Sequence, residues 1–178
     1  LKVVRETEEQ VQDRSIEESQ PTETVEKINI INKYFEIERG LVEKLNVCFG
    51  APNVRSNQQI GDNQIDMIVR IGSYERLFIE VKYITNPSNL RTSLQKTADM
   101  LDVVVSKYNS LRVKNIGIGI GLVIIAQNSL NSFSEHTIGA STANFVKGKQ
   151  SKLKMLVLNE SEFIRLDCSA LRAMLITD

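Results

Sequence analysis

A helix-length segment held between two strand-like runs constrains this chain more than any other feature. Leu90, Leu94, Ala98, Leu101, Val105 and Tyr108 recur at spacings of three and four, which predicts a helix over 88–111 with Ser88 as its N-cap. Leu77–Ile84 precedes it, and the run Ile116–Gln127 that follows is too rich in β-branched residues and glycine to be helical. A helix between two buried strands reads as a crossover, and such a sheet needs cover on its faces. Within the second run Ile116, Ile118, Ile120 and Leu122 share one face. Gly117, Gly119 and Gly121 share the other, where a helix can pack unusually close. A dinucleotide-binding fingerprint fails, because Leu122 or Ile124 stands where its third glycine belongs.

Upstream, a helix is expected through 27–46, capped by Thr22 or Thr24 and ended by Gly50, Ala51 and Pro52. Strand-like stretches at 53–57, 65–71 and 77–84, the last two turning at Gly72 and Ser73, suggest an antiparallel meander. Residues 128–150 are polar and read as irregular; a strand at 152–158 and a closing helix at 160–175 complete the chain. The α-β-β-β-α-β order predicts an α/β fold, a mixed central sheet flanked by helices.

At 178 residues and 42% hydrophobic, the chain can close a core as one domain. Residues 1–25 read as an acidic linker or loosely docked segment, and 26–178 as the folded domain. The zero net charge hides an asymmetry: residues 1–26 hold 3 basic and 8 acidic side chains, leaving 19 basic and 14 acidic in 27–178. No apolar run approaches the ~18 residues of a membrane span, and no signal peptide is visible, so a cytoplasmic protein is expected. The chain starts without Met, which suggests processing or an excerpt of a longer chain. Cys48 and Cys168 have no CxxC spacing, and His136 has neither metal-binding company nor support for a triad with Ser134 and Glu135.

The most chemically informative stretch is Leu77–Tyr83. Alternation puts Glu80 and Lys82 together on one face of a strand whose other face is Leu77, Ile79, Val81 and Tyr83. Fourteen residues before Glu80 stands Asp66, the sole charge in Ile65–Val69, and the hairpin can bring it alongside. Two adjacent carboxylates repel unless a cation lies between them, and a hard divalent ion is the natural occupant. In the first helix Glu38 neighbours Tyr34, Leu41, Val42 and Leu45 on the apolar stripe, whereas Glu36 and Glu43 belong to the wet face. Taken alone, Glu80 and Lys82 also fit a cross-strand salt bridge.

These residues resemble the PD-(D/E)xK, restriction endonuclease-like nucleases, closest in motif to the archaeal Holliday-junction resolvases. Glu38, Arg39, Gly40, Leu41 and Val42 look like the resolvase first helix. Val54, Arg55 and Ser56 look like the strand after it, and Gly61–Asp66 with Ile79–Lys82 matches the core motif. Ile65 stands in place of the proline in the family's name. The likeness covers about residues 34–84 and implies a restriction endonuclease-like core. It implies that Asp66 and Glu80 hold Mg²⁺, with Mn²⁺ as substitute, and that Glu38 is a further ligand or water-mediated support. Lys82 would orient or activate the attacking water, making Glu38, Asp66, Glu80 and Lys82 the catalytic set.

The function so implied is a metal-dependent endonuclease that hydrolyses phosphodiester bonds in DNA, of restriction, repair or junction-resolving type, and works as a homodimer. Arg39 and Arg55 are candidates to grip phosphates, and Gln95 to face the site. Lys147, Lys149, Lys152 and Lys154 are candidates to follow a DNA backbone. Each also fits an ordinary solvated surface. Two alternatives remain open: a non-catalytic DNA-binding or assembly module on the same fold, and a nuclease toxin domain of a larger chain with an immunity partner.

Overall fold

The computed structural model describes residues 21–126 and 146–176. Its elements are α1 (Pro21–Phe49), β1 (Val54–Ile60), β2 (Asn63–Arg70), β3 (Glu75–Ile84), α2 (Leu90–Leu111), β4 (Ile116–Ile125), β5 (Lys152–Asn159), α3 (Glu160–Arg165) and α4 (Cys168–Ile176), with short 3-10 turns before β1 and α2. The strands form one open mixed sheet in the order β1-β2-β3-β4-β5. β1, β2 and β3 pair antiparallel, whereas β3, β4 and β5 run parallel. The predicted α/β class, the meander and the crossover role of α2 are therefore present.

By backbone contacts the chain divides into units 1–35 and 36–178, a division that falls inside α1 and beyond the composition change at 25/26. The described part of the first unit is helical and mostly exposed. The sheet, its core and the candidate site belong to the second unit, and the expectation for residues 1–20 lies outside the described residues.

Two apolar layers sandwich the sheet. On one face Ile37, Leu41, Leu45 and Cys48 of α1 pack with Phe163, Leu171 and Leu175 against Ile79, Val81, Ile120 and Leu122. On the other, Leu90, Leu94, Ala98, Leu101 and Val105 of α2 pack against Phe78, Val123, Leu153 and Met155. The glycine face of β4 receives α2 as predicted: a Cβ on Gly119 would stand 3.2 Å from Leu101 Cβ, and one on Gly121 would stand 2.9 Å from Thr97 Cγ2. Leu153 and Met155 of β5 come nearer still, so side chains from the helix and the neighbouring strand together fill the space a Cβ would need.

Three boundary expectations are corrected. α1 spans Pro21–Phe49, so Thr22 and Thr24 lie inside it rather than at its cap. Ser88 does not cap α2. Its N–H and hydroxyl both donate to Asn86 Oδ1, at 3.0 and 2.9 Å, and a 3-10 turn over Pro87–Asn89 leads into the helix. The closing helix is two helices broken at Leu166 and Asp167. Asn159 and Glu162 form a capping box for α3, Asp167 Oδ1 accepts from Ala170 N–H at 2.8 Å to start α4, and Lys44 Nζ donates to the carbonyls of Ile164 and Leu166 at the break. Among the described residues no helix is long and apolar enough to cross a membrane.

Candidate functional site

The site forms where β2 separates from β3. Their register runs from Arg70↔Arg76 to Met67↔Ile79, and one step further it would set Asp66 beside Glu80 and Ile65 opposite Val81. Instead the Asp66 carboxylate takes over: its Oδ2 accepts the Val81 N–H at 2.7 Å. On the neighbouring strand Asn57 adopts a left-handed φ of 50°, between the pairs Ser56↔Met67 and Gln58↔Ile65. An irregular step thus crosses both strands at Asp66, and Ile65 joins the α2 side of the core while Met67 and Val69 stay on the α1 side. Asp66 is fixed to the backbone of β3 at the point where regular pairing ends.

Glu80 is 6% exposed and, as the alternation requires, shares the α2 face of β3 with Lys82. Lys82 Nζ donates to Glu80 Oε1 at 2.5 Å, and the lysine side chain itself remains 39% exposed. Glu80 Oε2 is buried with no hydrogen-bond partner. Burial first, and the Asp66 carboxylate second, push the Glu80 pKa up to about 7 against the lowering effects of Lys82 and of a hydrogen bond from the Asp66 backbone. Glu38 is half-buried beside the apolar stripe of α1, while Glu36 and Glu43 are exposed as predicted. Its pKa is raised, by burial and then by Asp66. Asp66 is therefore the carboxylate whose field reaches both of the others.

An orphaned, buried carboxylate oxygen beside a second carboxylate fits a divalent cation, since such an oxygen is costly unless something positive or hydrogen-bonding meets it. Magnesium is commonly held by one or two carboxylates and completes its shell with water and substrate oxygens. Asp66 and Glu80 would be the holders. Among the described residues no group of three or more carboxylate, histidine or cysteine side chains is arranged to hold a metal, so Glu38 stands as support at one remove. Thr97 Oγ1, a second buried orphan, lies on α2 where its methyl rests on Gly121, the register partner of Glu80.

The remaining candidates disperse. Arg39 is exposed on α1. Gln95 is exposed on α2 and donates to Asp99 Oδ1 at 2.9 Å, one turn away, rather than facing the carboxylates. Lys149 pairs with Asp99, on the α2 side, and the Lys149 and Gln95 hydrogen bonds hold the Asp99 pKa low. Lys147 is exposed near it. Lys152 and Lys154 alternate with Leu153 and Met155, which pack under α2, so they point to the other face of the edge strand β5. The four lysines do not make one row. His136, Ser134 and Glu135 lie outside the described residues.

Sequence reasoning missed two features. Cys48 at the end of α1 and Cys168 at the start of α4 form a disulfide, with Cα atoms 5.2 Å apart, and Arg172 donates to the Cys48 carbonyl at 2.8 Å beside it. The second is an arginine group: Arg55 sits in a cleft with Arg70 and Arg76. Counting outward from a two-residue Gly72–Ser73 turn would pair Arg70 with Glu75; the turn is one residue longer, and that extra residue brings Arg70 opposite Arg76. No protein-family model matches the chain, and no curated protein shows significant similarity to it.

Proposed function

We propose that this chain is a Mg²⁺-dependent endodeoxyribonuclease built on a restriction endonuclease-like core. The observation that carries the reading is the buried, partnerless Glu80 Oε2, set beside Asp66 where β2 peels from β3, with the Lys82 ammonium at the exposed side of the same carboxylate. A bound magnesium ion would polarise the scissile phosphate, lower the pKa of a water and offset charge on the leaving oxygen. Asp66, anchored by the Val81 amide, and Glu80, enclosed by the sheet and α2, present their carboxylates without having to reorganise. Lys82 bridges from Glu80 to solvent, where its remaining N–H groups orient the attacking water or a phosphate oxygen. Glu38 adds a water-mediated acceptor from α1. Cutting both strands of a duplex takes two such sites, which a two-fold dimer supplies.

The test is cleavage of labelled duplex, single-stranded and four-way-junction DNA with Mg²⁺, Mn²⁺ or EDTA. Metal-dependent cutting that Asp66→Asn and Lys82→Ala each abolish is the expected result. No cutting on any DNA, with no Mn²⁺ binding by calorimetry, would overturn it. One observation favours a non-catalytic DNA-binding module instead: the direct 2.5 Å contact between Lys82 and Glu80, as a purely structural ion pair would have. For that module, DNA binding survives in EDTA and neither substitution changes it.

A further inference from the structure

The face of the sheet that carries Glu80 also carries a cleft of about 270 Å³ towards the other end of β3. Arg70 of β2 lies directly opposite Arg76 of β3, and Arg55 of β1 lies opposite Ile68. All three arginines line the cleft, with Ile68, Phe78 and Tyr108. Like charges set opposite one another in an antiparallel pair cost stability. Among the described residues lining this cleft there is no carboxylate to offset them.

Arg70 and Arg76 are held but not neutralised. Arg70 Nε donates to Asn53 Oδ1 at 2.8 Å, and Arg76 Nη1 donates to the carbonyls of Gly72 and Glu75, each at 2.8 Å. All three acceptors are uncharged, so the guanidinium groups are oriented while their charge stays available to an anion. The Tyr108 ring packs on Phe78, with centroids 5.1 Å apart, and its hydroxyl donates to the Tyr74 carbonyl at 3.0 Å, which fixes the wall. The left-handed Asn57 contributes as well. In regular alternation Arg55 and Gln58 would face opposite sides of β1, whereas here both line the cleft. α2 packs chiefly over β4, with β3 and β5 beside it, and reaches the cleft with Tyr108.

We propose that this cleft binds the phosphates of a nucleic-acid strand that continues to the carboxylate site, an inference that rests on the nuclease reading for its substrate. Three guanidinium groups on adjacent strands, each step ~4.8 Å across the sheet, reach more than a single phosphate. Arg76 and Glu80 are four residues apart on β3, ~13 Å along the strand. At ~3.4 Å of axial rise per nucleotide, the gripped phosphates lie about four nucleotides from the scissile bond.

The test is fluorescence anisotropy of labelled single-stranded and duplex oligonucleotides in EDTA, as a function of salt. The triple variant Arg55→Gln, Arg70→Gln, Arg76→Gln should bind at least ~10-fold more weakly, with a log K against log salt slope shallower by about 2. The double variant Arg55→Gln, Arg70→Gln leaves the turn contacts of Arg76 intact and should still lose ~10-fold, whereas the triple lysine variant should keep the wild-type slope. Unchanged affinity and slope in folded glutamine variants would overturn the proposal, as would a wild type that binds no oligonucleotide. A labelled mononucleotide bound as tightly as the oligonucleotides would also overturn it, in favour of a small phosphorylated ligand. Because no metal is present, these outcomes are separate from cleavage. Variants that lose binding in a chain that never cuts DNA would keep the cleft and remove the nuclease, while intact binding alongside Asp66-dependent cutting would do the reverse.

Discussion

Glutamine at position 80 keeps the shape of the side chain and removes its charge, so it isolates what ionising a carboxyl costs at this place in the sheet. Burial and the Asp66 carboxylate raise the Glu80 pKa from 4.5 to about 7 in the folded chain, and Lys82 only partly opposes them. A group whose folded pKa lies above its unfolded value contributes stability that is complete below the unfolded pKa and is lost as pH rises through the folded one. The window is therefore pH 4.5 to about 7. At about 1.4 kcal/mol per unit, the wild type should lose up to about 3 kcal/mol relative to Glu80→Gln across it, in EDTA. The amide adds an offset of its own, but that offset does not vary with pH, so the slope of the difference is the predicted quantity. Urea denaturation of both chains between pH 4.5 and 8 measures it. Mn²⁺ at pH 7.5 should then restabilise the wild type, because it binds the ionised carboxylate, and leave Glu80→Gln nearly unmoved. A stability difference that stays flat from pH 5 to 8 would refute the reasoning about burial and Asp66 together.

Asp66→Ala removes the acceptor of the buried Val81 N–H and should cost about 1–3 kcal/mol, while Asp66→Asn keeps an acceptor there and should cost less, a contrast that thermal melts will show. Gly119→Val sets new atoms where Leu101 and Leu153 already stand and should destabilise by about 1–3 kcal/mol or more, read by denaturant midpoint. The Cys48–Cys168 disulfide closes a loop of sequence separation 120; reduction, or Cys168→Ser, should cost about 4–5 kcal/mol in the chain-entropy account, and intact-mass measurement with and without reductant will report the bond directly.

The α/β order was readable because period speaks directly to burial. The three-and-four spacing of α2 and the alternation of Ile and Gly in β4 describe two surfaces that meet, and at each glycine side chains of α2 and its neighbours occupy the space a Cβ would take. Glu80 and Lys82 were readable for the same reason: a strand's period of two leaves no choice about which side chains share a face. Glu38 stood out because Tyr34, Leu41, Val42 and Leu45 lie three, four and seven residues from it along the helix. Gln95 and the four lysines were not separable from surface residues. Whether a polar side chain meets a partner depends on the rotation of its helix or the face of its strand relative to another element, and a single segment does not encode that.

What the sequence by itself determined is everything that depends on one segment's own period: the strands, the helices, the apolar faces, and the placing of Glu80 with Lys82. Tertiary structure alone decided the long-range assignments. It put the irregular step at Asn57 and Asp66, where β2 leaves β3 and a side chain replaces a ladder hydrogen bond. It also brought Cys48 to Cys168 and gathered Arg55, Arg70 and Arg76 from three strands. The reason is physical. Local periodicity follows from backbone geometry within a few residues, whereas burial without a partner, like-charge crowding and the meeting of distant side chains exist only once separate segments pack and exclude water.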